Sequence, residues 1–303
     1  MLEALENMTA VNTQAGDVHI GHLFWYSIGD DLYGRNLLEQ NLVQNALSIG
    51  FMPKEIRLYD AFRRATKEIE TKVNLGNGVC ENYMIRDVYN DTYTAIRHIV
   101  KERVDSQGQR LSYSENEAII TLDRNTGEMS YTADLNSYAR ELSNEAKRLL
   151  ELFRNYHNGQ AVHGMVQNIL KTLSPTPVRP SGGVYFVPAS YDEELQKLTG
   201  FCSAFPKGEG FKIQVVNSAE SLKMVEQKVS DHLESIYGQC KQAVADSSVS
   251  KPRVSDIIGE AKRVIAGYKN YEGILSQKKE EMEARILLIR DSVSILLEKA
   301  DDE

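Results

Sequence analysis

The sequence predicts an α+β fold. A mixed body over about 1–216 carries an antiparallel β-meander, flanking helices and a helix–β-hairpin unit, and a long helical, coiled-coil-like arm spans about 217–303. Three observations predict it. Between about 83 and 132, short β-favouring runs are separated by turn residues. Apolar stripes at helical spacing lie on both sides of that region. From Val254 onward, apolar residues alternate in steps of three and four, as a packed helical seam requires.

The elements follow in order. "HLFWYSIG" (22–29) is rich in β-favouring aromatics and runs into the polar turn "GDDLYG", so it reads as a strand. "NLLEQNLVQNALSIG" (36–50) places Leu38, Leu42, Val43, Ala46 and Ile49 at helical spacing, with Gly50 as its C-cap. Pro53 opens a second helix, "PKEIRLYDAFRRATKEIE", with Ile56, Tyr59, Phe62 and Ile69 on its buried side. The glycine-rich break "NLGNGV" (74–79) leads into the meander "NYMIRDVYN", "TYTAIRHIVKERVD", "QRLSYSE" and "EAIITLDRNTGEMSYTA". "DRNTGE" is its clearest turn. Arg97 shares a face with Ala95 and Ile99, so neither face of that strand is wholly apolar and partial solvation is expected. "DLNSYARELSNEAKRLLELFRNYH" (134–157) is a helix with Asp134 as N-cap and a stripe of Leu135, Tyr138, Leu142, Ala146, Leu149, Phe153 and Tyr156. "QAVHGMVQNILKTL" (160–173) is a shorter helix, and "FKIQVV" (211–216) a short strand.

The arm is read as an antiparallel helical hairpin of 218–245 with 254–299, its first helix carrying a seam through Leu222, Val225, Val229, His232 or Leu233, Ile236 and Cys240. "DSSVSKPR" breaks it. A second helix is expected from about Ser255 to Lys299, roughly 65 Å long at 1.5 Å per residue. Its seam runs Val254, Ile257, Ala261, Val264, Tyr268, Tyr271 and Leu275, then slips by two successive steps of four before Met282, Ile286, Ile289, Val293 and Leu296. A break near Gly273 is the alternative to one continuous helix.

Composition bounds function. A net charge of −8 opposes a globally basic nucleic-acid footprint. Three dispersed cysteines, Cys80, Cys202 and Cys240, make no CxxC pair and suit a reducing compartment. The opening "MLEALENMTAVNTQ" lacks lysine and arginine, and no run is apolar enough to span a bilayer. A cytoplasmic protein without membrane contact is expected.

The stretch "RPSGGVYFVP" (179–188) raises the main functional question. A phosphate-gripping loop requires strand, glycine loop and then helix, with a Gly-Lys-Ser/Thr ending. Here a helix precedes the glycines, a strand follows, and the lysine is missing. A hairpin pairing "TPVRP" with "VYFVP" fits the residues instead. With the preceding helix it has a winged-helix outline, in which Lys171, Arg179 and Ser181 would meet nucleic acid. "NALSIGFMPKEIRLYDAFRRATKEIE" has a helix–turn–helix outline too, but acids offset its basic residues, so a salt-bridged surface helix is expected. His19 and His22 stand three apart, and in a strand such residues point to opposite faces, so no metal site is expected. No GxSxG and no cysteine or serine nucleophile context is present. No catalytic residue and no cofactor is assigned.

"FWYSIGDDLYG", "DAFRRATKEIE", the meander from "NYMIRDVYND" and "RPSGGVYFVP" together resemble an uncharacterised family of about 300-residue proteins in bacteria, archaea and their phages. The resemblance covers about 24–216 and implies no chemistry. A phage or mobile-element setting would imply a counter-defence inhibitor, and the size and arm resemble phage proteins that block the Gabija defence complex.

These readings give a non-catalytic protein-interaction or assembly protein. Its partner, another protein or a second copy, would meet Ile257, Val264, Tyr268, Tyr271, Leu275 and Met282 of the arm. The second reading is a DNA-binding protein using 160–188; the third is an enzyme with an unrecognised site.

Overall fold

The computed structural model describes residues 19–301 except 180, 182, 247, 276 and 277. The N-terminal stretch read for a secretory signal lies outside the described residues. In chain order the elements are β1 (His19–Ser27), β2 (Leu32–Gly34), α1 (Arg35–Gln44), α2 (Leu58–Glu68), β3 (Thr71–Gly76), β4 (Val79–Asn90), β5 (Thr94–Val104), β6 (Arg110–Asp123) and β7 (Met129–Ala133). They continue with α3 (Tyr138–Asn155), β8 (Tyr156–Asn158), α4 (Gly159–Leu170), β9 (Thr176–Pro177), β10 (Tyr185–Pro188), α5 (Asp192–Ser203), β11 (Glu209–Val216), α6 (Ala219–Ala245), α7 (Lys251–Gly267) and α8 (Lys279–Asp301). The fold is α+β, as expected from the sequence.

The chain forms two compact units. One gathers the described residues of Met1–Asp30, Glu39–Met52 and Val162–Glu303; the other gathers Asp31–Leu38 and Pro53–Ala161. The boundary expected at 216/217 falls inside the first unit. The reason is burial: the apolar faces of α6, α7 and α8 share a core with Ile20, Phe186 and Val215 of the sheet before them.

The second unit is the meander, a five-stranded antiparallel sheet in the order β3-β4-β5-β6-β7. The "NLGNGV" break is its first hairpin turn, where Gly76, Asn77 and Gly78 all adopt positive φ. Helices α2 and α3 bury Phe62, Ala65, Leu142, Ala146, Leu150 and Phe153 against Ile85, Ile99, Ile120 and Leu122. Ser137, three residues after the expected Asp134, caps α3 by accepting from Arg140 N–H. Arg97 lies on the buried face, with its guanidinium held by Asp87 at 2.7 and 3.0 Å and by Thr66 Oγ1 at 2.7 Å. A buried cation is tolerated once its donors are paired. On α2, Arg57 pairs with Asp60 and Lys67 with Glu70, the salt-bridged face its charges suggest.

The first unit is built on a four-stranded sheet in the order β11-β1-β10-β9. "RPSGGVYFVP" spans its β9–β10 hairpin: Tyr185 pairs with Pro177, Phe186 with Thr176, and Val178 N–H bonds to Val184 O. Helix α1 ends at Gln44 and is closed by Ala46, not Gly50: Ala46 takes φ 50°, and Leu47 N–H closes back on Leu42 O. The expected helix 255–299 is instead α7, a 3₁₀ turn at Tyr268–Tyr271, and α8. The interruption coincides with the phase slip and with Gly273.

Candidate functional site

A cleft of about 550 Å³ opens in the first unit between the β9 side of the sheet and the arm helices. One wall is Gln167 and Lys171 at the end of α4, the turn 174–177 and Tyr185; the other is α6, α7 and the Tyr268–Tyr271 turn. The two walls are locked together. Tyr271 Oη donates to Ser174 O at 2.6 Å and accepts from Thr176 Oγ1 at 2.9 Å. Asn270 Nδ2 donates to Tyr191 Oη at 3.0 Å. Gly267 packs so closely that a Cβ there would lie 2.6 Å from Ser174 Oγ. Within the cleft, burial lowers the proton affinity of His232, with Glu260 pulling the other way. Burial also raises the Tyr268 phenol, and Glu283 and Glu272 add to the rise.

The structure places the six expected partner residues inside their own chain. Ile257, Tyr268, Tyr271, Leu275 and Met282 are buried in the core shared by α6, α7, α8 and the sheet, and Val264 is half-buried beside them. Val264, Tyr268 and Tyr271 also line the cleft, and so does Lys171. Arg179 and Ser181 are exposed on the β9–β10 loop. Helix α4 buries Val162, Met165, Val166, Ile169 and Leu170. Only Gln160 and Asn168 are exposed on it, which leaves little for a nucleic-acid groove to meet.

His19 and His22 correct the expectation of opposite faces. Their ring centroids are 4.9 Å apart. The β1–β11 register slips between His19 and Gly21, and this bulge inserts one residue into the alternation. The slip turns His19 onto the side of His22. His22 is buried, with Nε2 3.2 Å from Asp192 Oδ1, and Asp192 is bound by Lys212 at 2.6 Å. That geometry brings His22 within Coulombic reach of the carboxylate without a well-aligned hydrogen bond, and among the described residues both ring nitrogens are otherwise unpartnered. Burial lowers the His22 proton affinity; Asp192 opposes that, while Lys212 and His19 add to it. No group of three or more His, Cys, Asp or Glu suited to a metal ion occurs among the described residues.

Sequence reasoning missed α5, which positions Asp192. Its signals were present: Asp192, Glu193 and Glu194 in the first turn, then Leu195, Leu198 and Phe201 on one face. It read the proline-flanked hairpin "TPVRP"/"VYFVP" as marking a sheet edge, and β9 is one edge of this sheet, but it did not name the strand at the other edge. That strand is β11, paired with β1 on one side and with no other strand among the described residues. Phe211 (44 % exposed) and Ile213 (56 %) stand on it, beside Leu23 and Trp25, their direct partners on β1. Trp25 stacks on Phe211 at 5.5 Å. The arm helices cover the Val215 end of this sheet face and leave the Phe211–Ile213 end open. Lys212 is tied to Asp192 and the strand has no proline; Gly210 N–H is taken by Ser203 Oγ beside the exposed Glu209, so the edge is open from Phe211 onward.

Among the described residues no helix is long and apolar enough to cross a membrane. The model of a family of unknown function, DUF6744, matches residues 19–302. No curated protein matches the chain.

Proposed function

We propose that this chain, which belongs to the DUF6744 family of unknown function, is a non-catalytic protein-association protein that pairs through the β11 edge with a second copy of itself. The observation that carries this is the open edge with Phe211 and Ile213 exposed beside Trp25. An edge strand offers unpaired backbone donors and acceptors, and exposed apolar side chains on the same strand add the hydrophobic contribution.

The sequence of β11 supports a second copy as the occupant. In an antiparallel pair centred on Ile213, Ile213 faces Ile213, Phe211 faces Val215 and Lys212 faces Gln214. All apolar residues then share one face and no like charges meet. The arm contributes indirectly: its seam holds the sheet, and the free end of the sheet makes the contact.

The test is the solution mass of wild type, Ile213→Lys and Val88→Lys by sedimentation. Val88 is an exposed apolar residue of the other unit and controls for loss of surface hydrophobicity alone. A dimer is expected for wild type and Val88→Lys, and a monomer with an unchanged circular dichroism spectrum for Ile213→Lys. A wild type that stays monomeric at its highest soluble concentration overturns the proposal, as does an Ile213→Lys variant that still dimerises.

A further inference from the structure

The cleft between the β9 turn and the arm has a composition that structural packing does not explain. Lys171, Arg253 and Arg263 line it from two separate parts of the chain. Asp256 and Glu260 line it as well. Among the described residues none of these five forms an ion pair. Arg253 bonds to the amide oxygen of Gln239 at 3.1 Å, which leaves its charge uncompensated. Four of the charged residues of α7, Arg253, Asp256, Glu260 and Arg263, follow at spacings of three, four and three, so a single helix face presents cation, two carboxylates, cation. Unpaired opposite charges on one face, each within a turn of another, ordinarily collapse into salt bridges. Here they stay apart along the mouth of a cleft.

The inner surface is different in kind. Tyr268 is 8 % exposed, and its hydroxyl is buried with no hydrogen-bond partner among the described residues. That hydroxyl is sealed off from the cleft, with Glu283 and Glu272 as its charged neighbours, so Tyr268 gives the wall shape and no polar contact. Tyr185 adds a half-buried ring, and Gln167 an amide held by Tyr26 Oη at 2.8 Å. The walls are fixed by the Tyr271–Ser174–Thr176 bonds and the close approach at Gly267, so the space exists before any ligand arrives.

We propose that this cleft binds a nucleoside phosphate. The three cations suit a phosphate, since arginine in particular matches its oxygens in pairs. The carboxylates of Asp256 and Glu260 have no donors of their own and accept from the hydroxyls of a sugar. The half-buried phenol ring of Tyr185 offers the flat surface a base stacks on, with the Gln167 amide oxygen to bond its edge. A volume of about 550 Å³ lies within the range of small-molecule sites. This reading is independent of the β11 edge, and either can fail without the other.

The experiment is calorimetric titration of the full chain with ATP, AMP, inorganic phosphate and adenosine. ATP is expected to bind more tightly than AMP, and both more tightly than phosphate or adenosine alone. Arg263→Ala and Lys171→Ala, both at exposed positions, should each weaken ATP by about tenfold or more, with Arg263→Lys restoring part of the loss. Tyr185→Leu should weaken AMP and ATP by the same factor, because the lost contact is to the base. Silence toward all four probes overturns the proposal. So does phosphate binding as tightly as ATP, which reduces the site to an adventitious anion patch, or ATP binding that Arg263→Ala leaves unchanged.

Discussion

Tyr271 and Tyr268 sit in one 3₁₀ turn, and deleting the hydroxyl from each should move stability in opposite directions. Tyr271→Phe removes a group that donates to Ser174 O at 2.6 Å and accepts from Thr176 Oγ1 at 2.9 Å. Each such bond contributes about 1 kcal/mol net, and a buried partner left unpaired costs about 1–3 kcal/mol. Thr176 is buried, so its hydroxyl loses an acceptor that water cannot replace. The expected loss is about 2–4 kcal/mol. Tyr268→Phe removes a hydroxyl that is buried and unpartnered, so in the ligand-free chain the change is neutral or stabilises by up to about 1 kcal/mol. Urea unfolding followed by tryptophan fluorescence measures both, because the single tryptophan, Trp25, lies on β1 in the same unit. The slope against urea should not change. A Tyr271→Phe variant within about 0.5 kcal/mol of wild type, or equal losses from both variants, refutes the reasoning.

Three further outcomes follow. Gly21→Ala should lose several kcal/mol or fail to fold, because a Cβ there would lie 2.4 Å from the backbone oxygen of Val187; thermal melting reads it. Leu275→Asp should cost about 3–5 kcal/mol as an unpaired charge at a 1 % exposed site, while Leu288→Asp, on the exposed side of α8, should change chemical stability little. Stability should fall as pH drops below about 6.5: His22, His157 and His232 all bind protons more weakly in the fold, chiefly through burial, so the unfolded chain takes up protons that the fold refuses. That stability is fully present above pH 6.5 and is lost on acidification down to the lowered folded values. Urea midpoints across pH 5 to 7.5 check the sign, and a midpoint that is flat or rises on acidification contradicts it.

Much of the fold was legible because its causes are local. The meander follows from period-two runs and Asp/Asn/Gly turns, and α2 and α3 from stripes whose Phe62, Leu142, Ala146 and Phe153 are buried as expected. Features set by distant residues were not legible. Arg97 reads as a solvated residue until Asp87 and Thr66 are placed around it. His19 and His22 read as opposed until the β1–β11 bulge, a property of the pair of strands, turns them together. The cleft was half-visible: Lys171 was singled out for nucleic acid and Val264, Tyr268 and Tyr271 for a partner, but nothing in their spacing says that they border one space. Edge position is the least local property of all, since β11 is an edge only because no other strand among the described residues reaches it.

The phase slip in the arm connects the seam to the edge. A heptad seam that ran unbroken from Val254 to Leu296 would form one rod, and its apolar side would need a partner along its whole length. The two steps of four are met instead by ending α7 at Gly267 and starting α8 at Lys279. The chain between them carries Tyr271 and Leu275 into the core and bonds Tyr271 to the β9 turn. Val225, Leu233 and Ile236 of α6 then meet Ile257 of α7 and Ile286, Ile289 and Val293 of α8 within the same chain. The seam is closed in this way, so an association surface has to be sought where large apolar residues remain exposed, which on α8 are Leu287, Leu288, Ile295 and Leu297. On the sheet that place is Phe211 and Ile213 of β11, at the end of the face that the folded-back helices do not reach.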